Sequence, residues 1–125
     1  MNVESSSASV LIGASEAVAD GGKGLRFPVL AGGAPGTGFV VRYQGRAHGY
    51  LNRCAHVPIE LDWNEGEFFD SSGLYLMCST HGALYVPGSG VCAGGPCKGR
   101  QLRTIAIEER DGQLFWQPDD YVTSA

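Results

Sequence analysis

The stretch "LYLMCSTHGALY", residues 74–85, places two strong metal ligands on a short connection between apolar segments. Cys78 and His81 stand three positions apart, and Gly82 follows at once. Short apolar runs bounded by small polar residues and Gly are typical of strands joined by tight turns. Thiolate and imidazole are ligands that iron and zinc accept readily. The stretch therefore predicts a metal-ligating turn at the end of a strand.

A second pair of the same residue types lies upstream, where "RCAH" (53–56) supplies Cys54 and His56. Two metal centres are compatible with the four ligands. One is a mononuclear, tetrahedral zinc held by two Cys and two His. The other is a two-iron cluster with both Cys on one iron and both His on the other. Zinc fingers usually take both Cys from one segment and both His from another. Here each segment carries one of each, which favours the cluster.

Composition indicates one globular domain. The chain has 125 residues, of which 43% are hydrophobic and 18% charged. Its net charge of -4 gives no electrostatic support for binding nucleic acid. No apolar run is long enough for a membrane anchor, and the N-terminus lacks the basic and apolar regions of a secretory signal. We therefore expect a soluble cytoplasmic protein, whose four cysteines serve as ligands or thiols rather than as a disulfide framework.

Short apolar runs between turn residues, without sustained helical periodicity, predict an all-β sandwich or barrel. The expected single strands are 10–12, 25–30 and 74–77, and the expected hairpins pair 39–43 with 47–52 and 101–109 with 113–117.

Two connections in the first third of the chain are also predictable. The segment 15–24 suggests one helical turn, capped by Ser15 and ended by Gly21. The segment 31–38 is expected to be a loop, and it lacks the Gly-Lys-Ser/Thr ending of a phosphate-binding loop. As domain boundaries we expect a flexible N-terminus over 1–9, one domain over 10–117 and a C-terminal tail over 118–125.

The two ligand segments, "CAH" and "CSTHG", resemble the paired boxes of Rieske iron–sulfur proteins, C-x-H and C-x-x-H-G. The resemblance extends over about residues 10–117. It implies an antiparallel β sandwich with a small cluster-binding subdomain at its tip, which holds a [2Fe–2S] cluster. In that case Cys54 and Cys78 bind the inner iron, and His56 and His81 bind the outer iron.

The segment "GSGVCAGGPCKG" (88–99) resembles the loop that covers the cluster in this family, with Gly95 and Pro96 as the matching pair. High-potential members carry a serine and a tyrosine after the second box, and both donate hydrogen bonds that favour the reduced form. Here Ala83 stands at the serine position, and Tyr85 keeps the tyrosine, either as a donor or as a packing residue. We therefore expect an intermediate reduction potential.

Respiratory Rieske proteins join their two cluster loops by a disulfide, and the matching positions here are Ile59 and Thr80. The resemblance is therefore to soluble Rieske-type ferredoxins. Cys92 and Cys97 remain, within the covering loop, as two thiols or a local disulfide.

The histidine count bears on function. An oxygenase catalytic subunit needs a second iron held by two histidines and a carboxylate. The chain has three histidines, so only His48, expected as a partly exposed strand residue, is left. The resemblance therefore implies an electron carrier rather than an enzyme, placed between a flavin-dependent reductase and a terminal oxygenase or similar enzyme. Two alternatives remain: a small Rieske subunit of a larger oxidoreductase of the nitrite reductase type, and a zinc-stabilised interaction module without a redox role.

The segment between the two boxes carries aromatic and acidic side chains. Trp63, Phe68 and Phe69 are expected in the core. The acidic side chains are expected to form a solvated face, and the basic side chains are expected to form a rim near the centre that steers an acidic partner. The acidic residues are Glu60, Asp62, Glu65, Glu67 and Asp70, and the basic ones are Arg53, Lys98, Arg100 and Arg103.

Overall fold

The computed structural model describes residues 9–55 and 59–125. In these ranges the protein is all-β, as predicted, with one short 3₁₀ turn and no α-helix. The strands are β1 Val10–Ala14, β2 Leu25–Ala31, β3 Ala34–Tyr43, β4 Arg46–Leu51, β5 Leu76–Met77, β6 Leu84–Tyr85, β7 Cys92–Gly94, β8 Thr104–Arg110, β9 Gln113–Gln117 and β10 Val122–Ser124. A seven-stranded antiparallel sheet has the order β1-β9-β8-β4-β3-β2-β10, and a three-stranded sheet has the order β5-β6-β7.

Both predicted hairpins are present, and their turns have the expected chemistry. The β3–β4 turn is Gln44–Gly45 with φ of 51° and 80°, and the β8–β9 turn is Asp111–Gly112 with φ of 53° and 73°. Two successive positive φ angles define the two-residue turn whose twist matches a hairpin. The local sequence therefore fixes the register of both hairpins.

The prediction of a loop over 31–38 is wrong. The turn is confined to Gly32 and Gly33, and β3 begins at Ala34, which pairs with Ala31 of β2. Gly38 lies within β3, where the Phe27 ring occupies the space that a side chain would need. An added Cβ would lie 2.4 Å from that ring. Glycine here reflects close packing of a neighbour rather than a loop.

Smaller differences concern element ends. The turn near residue 15 is a 3₁₀ turn over Ser15–Ala17 whose N-cap is Ala14, so the predicted Ser15 cap and Gly21 end are wrong. The strand expected over 74–77 is reduced to Leu76–Met77, and the strand expected from 101 begins at Thr104.

The segment predicted as a C-terminal tail contributes a strand. In β10, Val122 pairs with Ala31 at the outer edge of β2. Val122 is also buried in the core of the large sheet. The N-terminal prediction falls almost wholly on residues 1–8, outside the described ranges. In those ranges, no helix has the length and apolar character needed to span a bilayer.

Two apolar cores lie side by side. One lies against the large sheet, with Phe27 and Trp116 stacked at 5.3 Å between ring centroids. The other joins the sheet to the small subdomain through the stacked rings of Phe39 and Phe68, 3.9 Å apart. Phe68 is therefore a core residue, as predicted, and Phe69 packs at its margin. The prediction for Trp63 is wrong, because 81% of its surface is exposed.

The small subdomain is an insertion between two neighbouring strands of the large sheet. The chain leaves the large sheet at Leu51, the last residue of β4. It returns at Thr104, the first residue of β8, which pairs with Tyr50 of β4. Since β3 and β8 run antiparallel to β4, the turns at 44–45 and 111–112 lie at the opposite end of the sheet. Cys54 follows the last residue of β4 by three positions, so it lies at the end of the sheet away from those turns, whereas Phe69 of the insertion reaches back to Tyr43.

Candidate metal centre

Two of the predicted ligands, Cys54 and Cys78, are buried next to each other. Cys54 follows β4 and Cys78 follows β5, and both belong to the core of the small subdomain. Neither forms a disulfide. The pKa of the Cys78 thiol is raised, first by burial and also by the neighbouring Cys54 side chain, which is close enough to hydrogen-bond with it. The fold therefore brings together one sulfur from each predicted box.

Backbone donors surround the Cys78 sulfur. The N–H groups of His81 and Thr80 are directed at it, and each lowers the pKa of the thiol against the effect of burial. The Gly82 N–H closes this turn by donating to the Cys78 carbonyl oxygen at 2.8 Å, and the φ of 72° at Gly82 then turns the chain toward β6. N–H groups aimed at a buried sulfur stabilise the thiolate that a metal requires.

Tyr85 does more than pack. Its hydroxyl oxygen accepts a hydrogen bond from the Ala55 N–H at 3.0 Å and lies 3.3 Å from the Cys54 sulfur. Since the Ala55 N–H fills an acceptor position, the hydroxyl proton is available to the sulfur. Burial, and then the contact with Cys54, raise the pKa of Tyr85, so this proton stays in place. Ala83, buried beside it, offers no second hydroxyl.

Of the two histidines predicted as ligands, the structure describes one. His81 lies on the turn after Cys78 and is exposed. His56 lies outside the described residues. Among residues 9–55 and 59–125, no three His, Cys, Asp or Glu side chains form a group that could hold a single ion. Two adjacent buried thiols that receive N–H and O–H donors, with a histidine at the surface beside them, nevertheless fit a cluster with a cysteine-bound inner iron.

The segment predicted to cover the centre packs directly on the second box. At Gly95, where φ is 82°, an added Cβ would lie 2.8 Å from the Gly82 carbonyl oxygen and 3.1 Å from the Ala83 Cα. Cys92 and Cys97, for which both thiols and a disulfide were open, are joined as a disulfide. The cover is thus a closed ring of chain that rests on the backbone beside Cys78.

Three arginines of the predicted basic rim make contacts within the protein. The Arg100 guanidinium donates to the Ala55 carbonyl oxygen at 3.0 Å, which links the covering loop to the first box. Arg53 donates to the Tyr121 hydroxyl, and Arg103 lies over the Tyr121 ring. These contacts show arginines that fasten segments to one another, a role that their positions in the sequence did not indicate.

The acidic run is not uniformly solvated, which corrects the prediction for Asp62. Its side chain has 0% exposure and accepts hydrogen bonds from Asn52 Nδ2 at 2.9 Å and from the Gly66 N–H at 2.9 Å. Arg26 lies 3.5 Å from the same carboxylate. Asn52 in turn accepts from the Leu61 N–H at 2.8 Å. This network holds the segment after the first box against β2 and β4.

The third histidine, His48, lies half-buried on β4, as predicted. Burial and the nearby Arg46 lower its pKa. It lines a small surface pocket of about 170 Å³ with Ser89 and Thr104.

Comparison with known families decides the identity of the fold. The model of the Rieske [2Fe-2S] domain matches residues 9–110. The chain belongs to this family. Rieske domains carry a [2Fe–2S] cluster, so the cofactor predicted from the two boxes is confirmed. No curated protein matches the chain by sequence.

Solved Rieske structures share the fold at low identity. The ferredoxin of carbazole 1,9a-dioxygenase from Nocardioides aromaticivorans IC177 has 19% identity and a TM-score of 0.69, over 89% of this chain and 98% of that one. The terminal oxygenase of carbazole 1,9a-dioxygenase from Novosphingobium sp. KA1 has 22% identity and a TM-score of 0.66, over 90% of this chain. A fluorene-bound oxygenase–ferredoxin complex of carbazole 1,9a-dioxygenase has 18% identity and a TM-score of 0.70, over 87% of this chain. The match spans only 30% and 28% of the latter two chains.

The contact of Gly95 with the second box leads to a prediction. Gly95→Ala should lower the free energy of unfolding by about 2 kcal/mol, because a strained positive φ adds to overlap with the Gly82 backbone. Gly99→Ala is a matched control, since its φ is 79° but nothing lies within 4 Å of the added Cβ. It should show the φ cost alone, about 1 kcal/mol. Denaturant unfolding of both variants is the measurement, and equal losses would contradict the contact.

Proposed function

We propose that this Rieske protein carries one electron between a flavin-dependent reductase and a terminal oxygenase or similar enzyme. The observation that carries the proposal is the pair of buried ligand sulfurs, Cys54 and Cys78, side by side in the small subdomain of a Rieske domain. The likeness to a ferredoxin over 98% of that chain supports the same role. We further propose that the protein works in the cytoplasm.

In this proposal, Cys54 and Cys78 hold the inner iron and His56 and His81 hold the outer iron. When bound, the cluster takes up and gives back one electron. The burial of the two cysteines excludes water from their sulfurs, and the N–H groups of Thr80 and His81 offset the negative charge of the Cys78 thiolate. The exposed position of His81 makes it the described ligand nearest to a partner.

The proposal includes no catalytic step within this chain. An oxygenase site needs two further histidines with a carboxylate, and His48 is the one histidine outside the proposed ligand set. A small subunit of a larger oxidoreductase remains the second candidate, because the exposed Trp63 offers an aromatic contact of the kind enriched in interfaces. Co-purification with a large partner would favour that candidate.

Spectroscopy of the purified protein tests the proposal. We expect two irons per chain, a red-brown colour, and a signal with average g below 2 in electron paramagnetic resonance after dithionite reduction. A reversible one-electron titration should accompany the signal. One zinc per chain, with no colour and no signal, would instead support the zinc-stabilised module and end the electron-transfer proposal.

The contact between Tyr85 and Cys54 predicts a shift in reduction potential. Tyr85→Phe should lower it by about 20–60 mV, because one hydrogen bond of about 0.5–1.5 kcal/mol no longer stabilises the more negative reduced state. Tyr50→Phe is the matched control, because it removes a hydroxyl in the same core that donates to the Pro87 carbonyl oxygen at 2.6 Å. Protein-film voltammetry measures both, and equal shifts would assign the effect to packing.

A further inference from the structure

The Cys92–Cys97 disulfide closes a ring over the proposed cluster. The bond joins positions five apart, with Cα atoms separated by 5.6 Å, which a disulfide spans readily. Inside the ring, Gly95 rests on the Gly82 and Ala83 backbone. Cys97 is buried in the core that also contains Cys54 and Cys78. The disulfide therefore belongs to the cover of the metal centre rather than to a remote surface.

Hydrogen bonds tie the base of the ring together and connect it to the first ligand box. The Cys92 N–H donates to the Arg100 carbonyl oxygen at 3.0 Å, and the Arg100 N–H donates to that of Cys97 at 2.9 Å. The Arg100 side chain reaches the Ala55 carbonyl oxygen in the first box. A change in the ring is therefore transmitted to the chain on both sides of the centre.

Apart from the hydrogen bonds at its base, the backbone of the ring has only sparse strand pairing. It pairs with β6 only at Leu84 with Gly94 and Tyr85 with Cys92, across an irregular register. The ring itself contains Gly94 and Gly95, which leave the opened backbone with wide conformational freedom. Closing such a segment by a disulfide restricts that freedom.

The two sulfurs differ in access. Cys92 is partly exposed, whereas Cys97 is fully buried. A thiolate from solvent therefore attacks the Cys92 sulfur, and the Cys97 sulfur is the leaving group. The Leu84 and Gly94 carbonyl oxygens lie 3.4 Å and 3.2 Å from the Cys97 sulfur. In the disulfide that sulfur has no proton to donate, but after reduction its S–H finds two acceptors in place.

We propose that the Cys92–Cys97 disulfide is a reducible clasp on the cluster cover, opened by a dithiol reductant, and that its opening speeds the loss of iron. One thiolate of the dithiol bonds to the Cys92 sulfur, the S–S bond breaks, and the Cys97 sulfur takes up a proton. The second thiol of the dithiol then displaces the Cys92 sulfur, which also leaves as a thiol. The dithiol gives up two electrons and becomes a disulfide, and the protein disulfide takes up the same two electrons.

The test compares three proteins: wild type, the double variant Cys92→Ser with Cys97→Ser, and Ala93→Ser. The last is the matched control, because residue 93 is exposed within the same ring and its substitution keeps the bond. The rate at which the cluster absorbance disappears in excess iron chelator should rise about tenfold or more in the double variant and stay unchanged in Ala93→Ser. Equal rates in all three proteins would overturn the proposal.

Amide hydrogen exchange keeps the test independent of the cluster. Amide exchange at residues 94–98 should become faster in the double variant. It should become faster in the same way in wild-type protein that has been reduced with dithiothreitol and alkylated. The alkylated wild type replaces the double variant if that variant does not fold. Mass spectrometry should find two newly alkylated cysteines, 92 and 97, after that treatment. Alkylation of both without a reductant would overturn the clasp. The iron part of the proposal rests on the proposed function: absence of a cluster would defeat that function, whereas unchanged exchange would defeat the clasp alone.

Discussion

Cys78→Ser should reduce the iron content of the purified protein to about a tenth or less of the wild-type value and remove its visible colour. A serine hydroxyl does not ionise at neutral pH, and it is a poor ligand for iron in a sulfur-bound cluster. The N–H groups of Thr80 and His81 would then face a neutral oxygen in a buried position. Iron analysis and the reduced-state electron paramagnetic resonance spectrum are the measurements.

Cys92→Ser combined with Cys97→Ser is the matched control for this substitution. It makes the same chemical change twice within the same subdomain, at cysteines bonded to each other rather than adjacent to Cys54. It should be purified with two irons, although it loses them faster. If Cys78→Ser also keeps two irons and a normal spectrum, Cys78 is not a ligand.

Asp62→Ala should lower the free energy of unfolding by about 3 kcal/mol. The substitution leaves the Asn52 amide and the Gly66 N–H without their acceptor in a buried position, and it removes a charge partner of Arg26. The segment that follows the first box would lose its attachment to the large sheet. Denaturant unfolding measures the loss, and iron content shows whether the attachment also supports the metal centre.

Glu60→Ala is the control that distinguishes the buried hydrogen bonds of Asp62 from its ion pair with Arg26. Glu60 binds the same Arg26, at 3.0 Å, but its side chain is 46% exposed. Exposed ion pairs contribute about 0–1 kcal/mol, so this variant should stay close to wild type in stability. A loss as large as that of Asp62→Ala would mean that Arg26 neutralisation, and not the buried hydrogen bonds, stabilises the segment.

Features encoded by neighbouring residues were predictable from the sequence. The turns at Gln44–Gly45 and Asp111–Gly112 follow from the conformations that glycine favours in two-residue hairpins, and the strands on either side follow from their apolar residues. The ligand boxes are equally local, because a Cys and a His two or three positions apart lie on one turn. Their approach to each other needed the resemblance to a known family.

Features set by distant contacts were not predictable. Asp62 and Glu60 look alike in the sequence, and only the placement of Asn52 and Gly66 buries one of them. Trp63 has the large apolar side chain of a core residue, yet Leu61 and Asp62 are buried before it, whereas Trp63 and Asn64 are exposed. Gly38 resembled loop glycine because the Phe27 ring that requires it comes from another strand.

The placement of Cys54 just beyond the end of β4, beside Cys78, limits how the protein can exchange electrons. The hairpin turns at 44–45 and 111–112 lie at the opposite end, separated from Cys54 by the length of β4, about 20 Å. In the proposed role, donor and acceptor must therefore occupy the same face in turn, and no ternary complex can pass an electron straight through the molecule. Each partner is then a competitive inhibitor of the other, so turnover should pass through a maximum as the amount of either one increases.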